Sequence, residues 1–172
     1  MVQGHALEHQ DEQVTSETRQ FLTFLLAGEE YGVDILRVQE IRGWERASEI
    51  PNTPHYVRGV INLRGLIVPV VDLRARFGLA EVEYGPTTVV ILVLVQSEKG
   101  PRPVGMVVDA VSEVYDVPPD AMKPPPDFGA SATTAFVKGL ATMDDKMIIV
   151  LEIDELLDGN RTYEHVRSNV IH

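Results

Sequence analysis

The sequence predicts a mainly β protein: two similar, small β-barrels packed together with a groove between them, plus a few short helices. Three observations carry this. Short runs rich in β-branched and aromatic residues recur along the chain, bounded by Gly, Pro, Asn and Asp, as strands require. The second half of the chain repeats the first. Each half supplies about five such runs, too few for a sandwich but enough to curl into a barrel with few open edges.

In chain order, residues 1–19 hold four acids, one arginine and no apolar pattern, and read as an acidic tail that stays disordered or frayed. Strands are expected over Phe21–Leu26 and Tyr31–Ile35, joined at Gly28-Glu29-Glu30 as a hairpin. Leu36 to Trp44 continues as an extended segment with Val38 and Glu40 on one face. Prolines make Ile50 to Pro54 a loop. Then comes the stretch around which the rest is arranged, VRGVINLRGLIVPVVDL from Val57 to Leu73. It reads as strand, tight turn at Asn62-Leu63-Arg64-Gly65, and a buried strand over Leu66–Val71. Pro69 argues for an edge position or a bulge there, since it has no amide for a ladder. Leu73–Phe77 reads as one helical turn stopped by Gly78.

Gly85-Pro86 marks a linker, which divides the chain into barrels at 20–85 and 86–157. Strands are expected again over Val89–Val95 and Val104–Val108, followed by an extended Ala110–Val117. Pro118, Pro119 and Pro124 to Pro126 stiffen the next loop. Phe136–Met143 and Met147–Ile153 read as a hairpin turning at Asp144-Asp145. Asp154–Leu157 reads as a short helix with Asp154 as N-cap. The tail 158–172 fits a helix or disorder.

The repeat aligns without a gap over its central part. Val57-Arg58-Gly59-Val60 falls on Val137-Lys138-Gly139-Leu140, and Val70-Val71-Asp72-Leu73 on Val150-Leu151-Glu152-Ile153. Gly32-Val33-Asp34-Ile35 likewise matches Gly105-Met106-Val107-Val108. The alignment leaves open whether the terminal strands are exchanged between barrels. It also shows a difference: where the first copy has Asn62-Leu63-Arg64-Gly65, the second has Thr142-Met143-Asp144-Asp145. The barrel therefore does not need an arginine at that turn, and Arg64 reads as a requirement of one surface, presented to a partner, with a structural ion pair as the alternative.

A formal charge of −11 argues against a nucleic-acid partner, whose phosphates are neutralised by Lys and Arg, and against anionic lipid. With no cysteine there is no disulfide and no thiolate site. The amino terminus lacks the basic and apolar regions of a secretory signal, and Val89–Val95 is too short to cross a bilayer, so a soluble cytoplasmic protein is expected. No cofactor or metal is expected, because His5, His9, His165 and His172 lie in the tails and only His55 falls in the folded part. No phosphate loop, nucleophile elbow or HExxH spacing is present, so an enzyme is not expected. The surface is more informative. Val38, Glu40 and Ile41 read either as barrel core with a solvated acid or as a contact surface. Trp44 reads as core, and Phe128, beyond the stiff proline loop, as an anchor for a protein partner.

Over residues 19–157 the chain resembles the CheW family of bacterial chemotaxis coupling proteins. The likeness is carried by FLLAGEEYGVDILRVQEIRGWERASEIPNTP, VRGVINLRGLIVPVVDLRARFG and VGMVVDAVSEV, with INLRGLIVPVVDL as the most specific element. The loop Gln96–Arg102 is longer and the triple proline richer than the family pattern. The resemblance implies two pseudo-symmetric five-stranded SH3-like β-barrels and no catalysis. It implies an adaptor joining the cytoplasmic tips of chemoreceptors to the histidine kinase CheA, whose regulatory domain shares the fold, in arrays at the membrane. A receptor tip would dock a helical face in the groove. Carried over by position, the receptor-facing residues are Val38, Glu40, Gly59, Arg64, Val89 and Val114. The kinase contacts fall on the loop Ile50 to Tyr56 at one barrel end, and on Lys123 and Phe128 in the loop at the other. Two rivals stand beside this: a CheW-like scaffold of a non-chemotaxis array, and a small-barrel enzyme or nucleic-acid binder.

Overall fold

The computed structural model describes residues 18–125 and 135–170. Among the described residues, eleven strands form two sheets. The strands are β1 (Arg19–Leu26), β2 (Glu29–Asp34), β3 (Val38–Gly43), β4 (Val57–Leu63), β5 (Leu66–Asp72) and β6 (Val89–Val95). They continue with β7 (Arg102–Val108), β8 (Ala110–Val117), β9 (Met122–Lys123), β10 (Val137–Met143) and β11 (Lys146–Leu151). Helices α1 (Leu73–Arg76), α2 (Ile153–Leu157) and α3 (Gly159–Val170) follow β5 and β11.

One sheet has the order β8-β1-β2-β11-β10-β9, and the other β3-β6-β7-β5-β4. Under the sequence repeat these orders are the same apart from the additional strand β9. The hairpin β1–β2 lies where β6–β7 lies in the other sheet, and β8, β10 and β11 stand for β3, β4 and β5. Register agrees as well: Gly32 pairs with Val150 in parallel, and Gly105 pairs with Val70 in parallel. Each sheet therefore takes its central hairpin from the opposite sequence half: the first strand is exchanged, together with β2, whereas the last strand, β11, stays with β10 of its own half. The segments 20–85 and 86–157 are interleaved, and neither builds a sheet alone.

Both sheets are buried on two faces. The largest core, including Phe24, Leu26, Val33, Ile91, Val93, Met106 and Leu156, lies between them. A second cluster (Leu63, Val68, Val70, Val90, Leu92) fills the β3–β6–β7–β5–β4 sheet from inside, with the Trp44 and Tyr84 rings in tilted contact at its border, centroids 4.3 Å apart. A third (Phe21, Tyr115, Val117, Ile148, Val150) does the same for the other sheet. A sheet that shelters a cluster on its own concave side must curl. Here the chain beyond one edge strand returns to the other edge: Ser48, after β3, bridges Val60 of β4 in one sheet, and the chain after β8 turns back to pair as β9 with β10 in the other.

Several local expectations shift. Glu29 and Glu30 belong to β2, leaving Ala27 and Gly28 as the first turn. Ile35–Arg37 is a 3-10 turn before β3 and is not extended, since the Asp34 carboxylate accepts the Leu36 amide. Pro69 sits in neither an edge strand nor a bulge. Strand β5 is paired on both sides, but its partner Val60 directs its backbone bonds to Ser48, and the parallel ladder to β7 begins only at Val70. The missing proline amide is thus not required by either neighbour. Leu66 and Ile67, expected in a buried strand, are about half exposed, and continuous burial starts at Val68. Asp154 does not cap α2; Glu152 holds that position, and the Asp154 carboxylate binds Arg37 and the Gln96 amide. Asp72, by contrast, caps α1 by accepting the Ala75 amide. The tail forms α3, with Thr162, Tyr163 and Val166 buried.

Two ion pairs fix the corners where the chain passes between sheets. Arg74 grips Asp109 through Nε and Nη2, each at 2.7 Å, and Arg37 binds Asp154. The Arg74 guanidinium holds the Asp109 carboxyl below the usual range, aided by the Ala27 amide. A carboxylate with a depressed folded pKa stabilises above its unfolded pKa, and that contribution is lost as pH falls through the folded value. Asp109→Asn should therefore be less stable than wild type at neutral pH, with the gap closing as pH drops below about 4. Melting temperatures of both proteins across an acid series check this, and a pH-independent gap contradicts it.

Candidate functional site

Leu63 and Leu66 close the β4–β5 hairpin, leaving Arg64 (φ 51°) and Gly65 (φ 89°) as a two-residue turn. Both lie in the left-handed region, the geometry of a type I′ turn, whose twist matches the flanking strands. The Asn62 side-chain oxygen accepts the Gly65 amide at 2.8 Å. The second copy builds the same turn from Asp144 (φ 49°) and Asp145 (φ 64°). The turn itself thus needs no arginine, as the repeat implied.

The Arg64 side chain is 70% exposed, and its Nη2 lies 3.2 Å from Glu40 Oε2. Glu40 sits on β3, the edge opposite β4, so the pair spans the seam where the curled sheet meets itself. Gly59 supports the same seam. It is buried at φ 136°, and a Cβ there would stand 2.2 Å from the Ser48 carbonyl oxygen. Only a glycine lets β4 approach the Ser48 segment so closely. Val38 and Val89 are half-buried and pack on the core between the sheets. Val114 is 48% exposed on β8, the edge strand of the other sheet, opposite Leu22. Thus Glu40 and Arg64 are in contact, Val38 and Val89 border one core, and Val114 belongs to a different strand system.

The expected kinase contacts divide likewise. Ile50 is half-buried in its loop, where its carbonyl accepts the Thr53 hydroxyl. Tyr56 is half-buried, with the Arg76 guanidinium 5.2 Å from its ring centroid. Lys123 is exposed, on strand β9 opposite Leu140 and not in a loop, because the chain must return to β10 to close the sheet. Phe128 lies outside the described residues.

Sequence reasoning missed a cluster at the meeting of the two halves. Arg76 stands over both Tyr56 and Phe136, residues equivalent in the repeat, and donates to the carbonyl of Leu156, its own counterpart. The eighty-residue offset pairs Tyr56 with Phe136 and Arg76 with Leu156, but says nothing of their proximity. A second network, Asp72 with Tyr84 and Arg58, binds the linker to the first copy, and burial together with the Asp72 carboxylate pushes the Tyr84 phenol up. Leu66 and Ile67 line a cleft of about 620 Å³ together with Lys99, Arg102 and α3. Among the described residues no group of three or more His, Asp or Glu is arranged to hold a metal, and no helix is long and apolar enough to span a membrane.

Fold and site together define a double-sheet β module that displays an exposed cation on a tight hairpin turn. The chain belongs to the CheW-like family, whose domain model matches residues 20–161. It is 44% identical over 141 residues to the chemotaxis protein CheW of Klebsiella aerogenes, covering 82% of each chain. It is 37% identical over 143 residues to the chemotaxis protein CheW of Rhizobium meliloti, covering 83% of this chain and 90% of that one. The crystal structure of the scaffolding protein TtCheW from Thermoanaerobacter tengcongensis superposes with a TM-score of 0.74 at 38% identity, over 81% of this chain and 92% of that one.

Two stability outcomes follow from the seam. A double-mutant cycle of Glu40→Ala and Arg64→Ala, read by urea unfolding, should give a coupling of only about 0.2–1 kcal/mol, since the pair is solvent-exposed. Gly59→Ala should instead cost about 3 kcal/mol or more by the same measurement, from backbone strain and the Ser48 clash.

Proposed function

We propose that this chain is a chemotaxis adaptor without catalytic activity, acting in the cytoplasm at membrane-associated receptor arrays. It links chemoreceptor cytoplasmic tips to the regulatory domain of the histidine kinase CheA. The observation that carries the reading is Arg64: an exposed cation held by Glu40 on a turn whose counterpart bears aspartate. The receptor-facing set is Val38, Glu40, Gly59, Arg64, Val89 and Val114. Of these, Gly59 is buried, so it acts by letting the seam close.

The kinase regulatory domain meets the two barrel ends, at Ile50 and Tyr56 on one side and at Lys123 and Phe128 on the other. Support comes from the equivalence of these ends. Ser48 bridges Val60, Lys123 pairs with Leu140, and Val60 and Leu140 are repeat partners. Receptor state then reaches the kinase as a coupling free energy between two binding sites, of about 1–3 kcal/mol.

The test is titration of the purified chain against a receptor cytoplasmic fragment and, separately, the kinase regulatory domain. Arg64→Asp should weaken receptor binding at least about 30-fold, the equivalent of about 2 kcal/mol. Kinase affinity and melting temperature should hold. Wild type binding neither partner overturns the adaptor reading, and receptor binding untouched by Arg64→Asp removes Arg64 from the site.

A further inference from the structure

We propose that Asn62 is a positioning residue for Arg64, fixing the hairpin tip so that the guanidinium is presented in one place. The inference rests on the receptor-facing reading of Arg64 and names a residue through which that site acts.

The first central position of a type I′ turn favours Asn, Asp or Gly, which tolerate the left-handed region. The second copy obeys this preference with Asp144 and Asp145, both at positive φ. The first copy places Arg64 there at φ 51°, a locally unfavourable choice for a long side chain. Beside it, the Asn62 carboxamide accepts the amide of Gly65, the residue that completes the turn, at 2.8 Å. The second copy carries Thr142 at the Asn62 position and still reaches the same turn geometry. An amide side chain is therefore no requirement of the hairpin. It accompanies the arginine.

Asn62 is itself exposed, so its side chain contributes little to the core, whereas its neighbour Leu63 is 5% exposed and packs inside. The cation is thus held from two ends: the backbone beneath it by Asn62, and its guanidinium by Glu40 at 3.2 Å. Holding a planar five-donor group in place before binding lowers the ordering cost of docking onto a carboxylate or carbonyl.

The experiment uses the full chain with a receptor cytoplasmic fragment and the kinase regulatory domain. Asn62→Ala should weaken receptor binding about three- to tenfold, the range of one lost hydrogen bond. Kinase affinity should be unchanged. Asn62→Asp should retain binding, because a carboxylate oxygen can accept the same amide. The decisive readout is Asn62→Ala in an Arg64→Ala background, where the further loss should fall below about twofold if Asn62 acts through the arginine. Wild-type receptor affinity in Asn62→Ala, an equal loss in both backgrounds, or a parallel loss of kinase binding each overturns the proposal. If Arg64→Ala alone leaves receptor affinity intact, the receptor-facing reading fails with it. If Arg64→Ala weakens binding and Asn62→Ala does not, only the positioning role is lost.

Discussion

The parallel contact of β5 with β7, repeated as β11 with β2, is the constraint from which the rest of this structure follows. Each contact brings a glycine, Gly105 or Gly32, against the partner strand. A Cβ on Gly105 would stand 2.8 Å from Val90, and one on Gly32 would stand 3.1 Å from Ile148. A side chain at Gly32 would press on β11, the strand that ties the two sequence halves together, whereas one at Gly105 would press on β6, its hairpin partner, and meet the Pro69 carbonyl of β5 only at 3.6 Å. Because each sheet borrows its central hairpin from the opposite half, these contacts turn a tandem repeat into a single cooperative core. The cluster from Leu22 to Tyr163 lies between the sheets and draws on both halves.

Such an interleaved fold needs its crossing points fixed, and the crossings use ion pairs of reversed polarity. Arg74, at the start of α1, binds Asp109 at the β7–β8 corner; Asp154, its repeat partner, binds Arg37 near the β2–β3 corner. The pseudo-symmetry of the backbone is thus kept while the side chains diverge. Arg76, between Tyr56 and Phe136, shows the same divergence, since Leu156 stands at its equivalent position. The Arg64 and Asp144 turns extend it to the surface. A duplicated scaffold supplies two equivalent turns, of which one carries Arg64 and the other Asp144 at the same position.

The candidate site was legible where it depended on sequence repetition. The contrast of Arg64 with Asp144 marks the arginine from sequence alone, because the repeat provides its own control. Its partner was not legible in the same way. Glu40 was visible only as an acid on an extended segment. That it meets Arg64 depends on the two edges of one sheet approaching each other, where Ser48, beyond the end of β3, bridges Val60 of β4. The burial of Gly59 and the ring contact of Tyr56 were hidden for the same reason.

By itself the sequence determined the mainly β class, most strand positions, the tight turns, the helical turn after Leu73 and the duplication. These are local properties: side-chain shape, glycine and proline stereochemistry, and patterns that a gapless alignment preserves. Tertiary structure alone decided which hairpin joins which sheet, why Pro69 is tolerated in a strand paired on both sides, and that Asp154 serves Arg37 in place of a helix end. In each case the deciding partner lies far away in the chain. A backbone amide, a carboxylate or a strand edge takes whichever partner the packed core delivers, and local sequence carries no record of that choice.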